Sequence, residues 1–166
     1  MTGFDFTRAS WIGSSAFYDC RGLTSLNAPN LGIIGSSAFM NCSGLTTLSL
    51  PVLSSVGAGA FGNCINLSFA LVSNLATRAF DGCTSLNTVF VNGASSLPAN
   101  VFRSCTNLMS LYLLSTAVVK FSASAFTNCP MSAGGSGTIY VPADLLSNYI
   151  SAAGWSDYAS ERFVAY

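Results

Sequence analysis

A phenylalanine returns along this chain at positions 17, 39, 61, 80, 102 and 126, with Ala or Val before it and Cys three residues after it. The spacings are 22, 22, 19, 22 and 24 residues, and all six cysteines of the chain belong to this repeat. Five residues before each Phe stands a large apolar residue: Ile12, Ile34, Val56, Leu75, Leu97 and Phe121. A leucine follows the Cys in five copies, and then comes an alternating apolar pair such as Leu48 and Leu50, or Leu111 and Leu113. Period-two alternation predicts a strand with one buried face. A single coil of this length has no way to bury its own apolar side, so the coils must stack and bury these residues as columns. Strands stack at about 4.7–4.9 Å, which gives an arc roughly 30 Å long.

The clearest copy, IGSSAFMNCSGLTTLSLP, spans residues 34–51. The first copy is partial, with Phe4 and Phe6 in the alternating positions. The last departs after Cys129, where the Gly-rich insertion 131–138 (MSAGGSGT) precedes Ile139 and Val141. The pattern I-G-x-x-A-F-x-x-C-x-x-L-x-x-L-x-L-P resembles the BspA-like leucine-rich repeats, also called the Treponema pallidum type, over roughly residues 4–142. That resemblance implies a leucine-rich-repeat solenoid, a horseshoe-like α/β arc. Short parallel strands would line its concave side and irregular or short helical backbone the other. It also implies a bacterial surface protein that contacts host or microbial partners, with relatives in protists and in phage-encoded proteins. The tail looks like the C-terminal end of such proteins in gut bacteria.

The tail also has a reading of its own. Residues 1–142 are read as an array of about six coils and residues 143–166 as a C-terminal cap, together one domain. Pro142 suits a first helical turn, and Leu145, Leu146, Tyr149 and Ile150 recur at helical spacing. Gly154 is a stop, after which Trp155, Tyr158, Phe163 and Val164 are expected to fold back over the last coil. A repeat array needs such a shield. The N-terminus has no comparable cap, so the sequence is expected to be a fragment of a longer protein or to meet a partner there.

Only 7% of the residues are charged and the formal net charge is +0. Nucleic-acid binding rewards clustered Lys and Arg, and docking on anionic membranes needs a basic patch, so neither is expected. No apolar run is long enough for a membrane span. The opening residues MTGFDFTRAS lack an apolar signal core. A cell-surface or secreted location would therefore need a signal outside this sequence or another export route; a phage virion is the alternative. A neutral surface repels its own copies weakly, so self-association is plausible.

Catalysis is not expected. The chain has no His, hence no imidazole base, and its six acids are scattered. Lys120 reads as a solvated edge and AGGSG as a loop without a phosphate-binding frame. The Asn and Asp residues near each Cys read as turn chemistry. The cysteine column suits buried free thiols, since equivalent side chains in stacked coils point the same way. No metal or other cofactor is expected, because zinc needs clustered ligands.

The informative positions lie between the buried strand residues, where side chains face outward. Coil by coil they read Asp5, Asn27, Ser49, Leu71, Phe90, Tyr112 and Tyr140, beside Ser25, Thr47, Phe69, Thr88, Ser110 and Thr138. The face thus begins polar and becomes aromatic. Phe69, Leu71, Phe90, Tyr112 and Tyr140 form the candidate binding surface, an exposed stripe for a protein or glycan partner. The same stripe would also serve as packing within the sheet, as a bed for the C-terminal tail, or as an oligomer contact in a structural, self-assembling protein.

Overall fold

The computed structural model describes residues 6–50 and 52–166. Short strands alternate along it: β1 (Trp11–Ile12), β2 (Ile33–Ile34), β3 (Thr47–Leu50), β4 (Ser55–Val56), β5 (Phe69–Val72), β6 (Thr88–Asn92), β7 (Ser96–Leu97), β8 (Ser110–Leu114), β9 (Lys120–Phe121), β10 (Thr138–Val141) and β11 (Phe163–Ala165). The longer ones form one parallel sheet in the order β3-β5-β6-β8-β10-β11. The two-residue strands build a lateral parallel ladder, β1-β2-β4, which breaks and resumes as β7-β9. The chain is a parallel solenoid, as the period implied.

The repeat columns form its core. Phe17, Phe39, Phe61, Phe80, Phe102 and Phe126 stack ring on ring, with centroids 5.3–5.9 Å apart. Beside them runs the thiol column. Cys42, Cys64, Cys83 and Cys105 each donate to the carbonyl of a Phe in the preceding coil, at 3.0–3.2 Å. Ala38, Ala60, Ala79 and Ala125 are fully buried, small enough for the backbone to pass.

The convex side is made of turns, not helix. In the first five coils, residues two before and two after the Phe take left-handed conformations, filled mostly by Ser, Asn, Asp and Gly; in the sixth only Asn128 does. Ser, Asn and Asp tolerate that region through local hydrogen bonds and Gly through its missing Cβ. The N–H groups at these positions and of the Phe itself donate to carbonyls of the next coil, as in Ser37 to Ala58, Phe39 to Ala60 and Asn41 to Gly62. The turns are therefore also a ladder.

Four expectations need correction. Leu26 and Ala28 are buried but belong to no strand; Pro29 offers no N–H to a ladder there. Phe6 likewise packs on Phe17 without forming a strand, and Phe4 and Asp5 lie outside the described residues. The short tail helix forms as expected: a 3-10 turn at Ala143–Leu145 leads into α1 (Leu146–Ser151), which ends before Gly154. Ile150 stays exposed, because the helix turns Tyr149 into the core and packs Leu146 against it. Trp155, Tyr158 and Phe163 do cover the last coil, but Val164 points out, since β11 adds to the sheet edge and alternates.

Candidate functional site

The concave sheet brings the five candidate residues onto one face. Leu71, Phe90, Tyr112 and Tyr140 are register partners across β5, β6, β8 and β10. Phe69 lies one pair earlier, opposite Thr88, and its ring sits 5.6 Å from Phe90 in a tilted contact. All five are half-buried. The reason is mutual cover. Phe90 stacks on Tyr112 and Tyr112 on Tyr140, each at 4.1 Å and within 9° of parallel. Phe90 and Tyr140 thus take both faces of Tyr112, and Leu71 and Val164 are the register neighbours at the two ends of the row. What the stripe offers solvent is ring edges and phenol hydroxyls. The C-terminal tail runs alongside as β11, and its last residue reaches back to the sheet, Tyr166 Oη donating to the Leu113 carbonyl of β8 at 3.4 Å.

The Tyr112 pKa is raised, first by desolvation and then by the adjacent Tyr140 phenol. A raised phenol stays protonated at physiological pH and remains a donor. Towards the N-terminal coils the face is polar and concave: Ser25, Asn27, Thr47 and Ser49 rim a groove of about 300 Å³.

Catalytic geometry is not assembled on this face. Lys120 is exposed on β9. Asp81 is held by Arg103 in a bidentate pair at 2.6 and 2.9 Å on the convex turns. Asp19 accepts a single bond from Arg21 Nε at 2.8 Å, also on the convex turns. Burial pushes the Cys42 pKa up to about 12 and that of Cys129 to about 11, so these two thiols stay protonated at neutral pH.

One residue that sequence reasoning missed organises the C-terminal end. Arg162 is buried and donates to three carbonyls of the Gly-rich insertion: Nε to Gly137 at 2.8 Å, and its terminal nitrogens to Ser132 at 2.7 Å and Pro130 at 3.0 Å. Its guanidinium also lies 4.9 Å from the centroid of Tyr158. Desolvation lowers its pKa, while Tyr158 and Cys129 act the other way. The partners are backbone atoms of a loop far away in the chain, so no spacing signals them.

The BspA type leucine-rich repeat region matches this chain in six copies over residues 10–133. A search of curated protein sequences finds no match. Three bacterial structures are similar in fold. A leucine-rich repeat protein from Bacteroides ovatus aligns with a TM-score of 0.60 and 19% identity over 80% of this chain and 40% of its own. One from Eubacterium ventriosum gives 0.59 and 16%, over 73% and 43%. The leucine-rich repeat protein of T. pallidum gives 0.53 and 23%, over 72% and 70%. The chain thus spans less than half the length of the first two. At these identities the likeness concerns the fold.

Proposed function

The chain belongs to the BspA type leucine-rich repeat family, and from that premise we propose that it is a non-catalytic recognition module whose concave sheet binds a protein. The carrying observation is the closed stacking of Phe90, Tyr112 and Tyr140. Saccharide recognition by aromatic residues uses open ring faces, and these faces are occupied. Ring edges with phenol donors suit a polypeptide, which supplies apolar side chains for the edges and carbonyl oxygens for the hydroxyls. The stacked row is also stiff, so little side-chain freedom is lost on binding. A cell-surface or secreted setting fits such a module; a phage virion component is the alternative.

The test is a selection of twelve-residue peptides displayed at random, run against the native protein beside a glycan panel. The best peptide is then titrated into two variants. Tyr112→Phe with Tyr140→Phe keeps the stack and removes the hydroxyls; it should weaken binding about tenfold, the value of roughly one charge-free hydrogen-bond pair. Tyr112→Ser should abolish it. Unchanged affinity in both variants, or binders only among glycans, would overturn the proposal.

One observation favours a second reading, self-assembly. Trp11 and Ile33 are register neighbours on the lateral ladder and are 64% and 44% exposed. Exposed apolar pairs of this kind mark contacts. Light scattering on the native chain and on Trp11→Ser with Ile33→Ser separates the readings: an oligomer that the double variant dissolves favours assembly.

A further inference from the structure

The concave face changes its chemistry along the array but carries no charge. From Ser25 to Tyr140, every outward position of its two rows is an uncharged residue. The described charges gather elsewhere. The Asp19–Arg21 and Asp81–Arg103 pairs lie on the convex turns, Lys120 lies on the lateral ladder, and Asp157, Glu161 and Arg162 lie in the cap.

The two ends of this face offer different partners. At one end the stacked Phe90, Tyr112 and Tyr140 present ring edges and phenol hydroxyls. At the other, Ser25, Asn27, Thr47 and Ser49 rim the groove of about 300 Å³. All four are exposed, and none of their side chains hydrogen-bonds to another described residue. Thr88, between the two ends, is by contrast spent on Asn87 Oδ1 at 3.0 Å. Three hydroxyls and a carboxamide supply donors and acceptors together. They match groups that also do both, which are hydroxyl and carboxamide side chains. Ser49 and Tyr140 are linked by the register steps through Leu71, Phe90 and Tyr112. At the usual strand spacing that is about 19 Å, which about six extended residues cover.

We propose that the polypeptide segment this face takes is uncharged and two-ended, with Ser, Thr, Asn or Gln side chains over the groove and aliphatic side chains over the aromatic row. The proposal rests on the reading that the concave sheet binds a protein, and it names the chemistry of that partner. An ionised side chain docked on these rows would give up its water and meet no opposite charge, a cost that pairing normally offsets. A hydroxyl or carboxamide loses less and finds partners in the groove. An aliphatic group loses nothing against the ring edges. A face without charge also steers nothing from a distance, so its affinity should be indifferent to salt.

The test sequences the displayed twelve-residue pool before and after selection on the native protein and on Ser49→Lys, which sets a charge on the groove rim. The tightest peptide from the native selection is then titrated. In the native selection Asp, Glu, Lys and Arg together should become about threefold rarer or more. The affinity of the tightest peptide should fall by less than about twofold between about 20 and about 500 mM NaCl. Selection on Ser49→Lys should bring acidic residues back at one end of the segment. Tyr112→Ser separates the two levels of the claim. An empty native selection, or binding that survives Tyr112→Ser, overturns the concave reading and this proposal with it. Binding that Tyr112→Ser abolishes overturns the present proposal alone in either of two cases: the selected peptides are rich in charged residues, or salt weakens them by about fivefold or more. A Ser49→Lys pool no more acidic than the native one overturns it as well.

Discussion

Single residues in this molecule act mostly through backbone carbonyls. The thiol column is one case. The Sγ–H groups of Cys42, Cys64, Cys83 and Cys105 each reach back one coil to a Phe carbonyl, so these cysteines behave as small hydrophobes with a donor. Their protonation is linked to stability. Folding raises the pKa of Cys42 from the ordinary 9.0 to about 12 and that of Cys129 to about 11. A pKa raised in the folded state favours folding fully below the unfolded value, and that contribution is lost as pH rises through the folded one. The thermal midpoint, followed by circular dichroism, should be flat from pH 7 to about 8.5 and fall steadily towards pH 11. A midpoint that stays level to pH 11 would contradict the ladder. Arg162 is the second case. Arg162→Met keeps the length and drops the donors, leaving the buried Gly137 carbonyl without its partner and the Pro130 and Ser132 carbonyls with only the N–H groups of Gly137 and Gly135. A loss of about 2–4 kcal/mol in denaturant unfolding is expected, with faster amide exchange across residues 131–138.

Elements here are set by how closely one coil approaches the next. A Cβ on Gly35 would overlap the backbone of Ser14, and one on Gly57 the backbone of Ser36. The I-G step of the repeat is therefore the place where lateral strands touch. The fourth coil has Ala76 at this position and is three residues shorter than its neighbours. There the lateral ladder stops, and Ser73 and Asn74 side chains bond to Leu53 and Ser54 instead. Gly57→Ala should force β2 and β4 apart and cost about 1–3 kcal/mol, measured by urea unfolding. A neutral substitution would mean that the coils have slack. Much of this was legible beforehand. Identical residues at a fixed period announce their own stacking, so the Phe, Cys and Leu columns could be read directly. The lateral strands could not, because two residues carry no periodicity. The missing strand at Leu26–Ala28 escaped too, since its alternation is intact and only Pro29 marks the gap.

At the scale of the whole molecule, the array has one closed end and one stiff face. The cap seats Tyr149 and Trp155 in the core, with Tyr149 Oη accepting from the Val119 N–H at 2.9 Å and Trp155 Nε1 donating to the Val119 carbonyl at 2.6 Å. Removing residues 143–166 would bare Phe121, Phe126 and the edge of β10, and the shortened chain is expected to sediment as aggregate where the full chain stays in solution. The concave stripe was legible as a position but not as a chemistry. Alternation placed Phe90, Tyr112 and Tyr140 in one row, yet only their spacing along the sheet reveals that ring faces are closed and edges open. The role of Arg162 was illegible, because its partners depend on where a loop of glycines comes to rest.

The central claim is that this concave row meets a polypeptide edge-on. Its most direct test is a hydrogen-exchange map of the native protein with and without the tightest peptide selected against it. The account predicts protection centred on β6, β8 and β10 and shifts in the ring resonances of Phe90, Tyr112 and Tyr140. Protection confined to the convex turns, or to the Trp11 and Ile33 side, would contradict it.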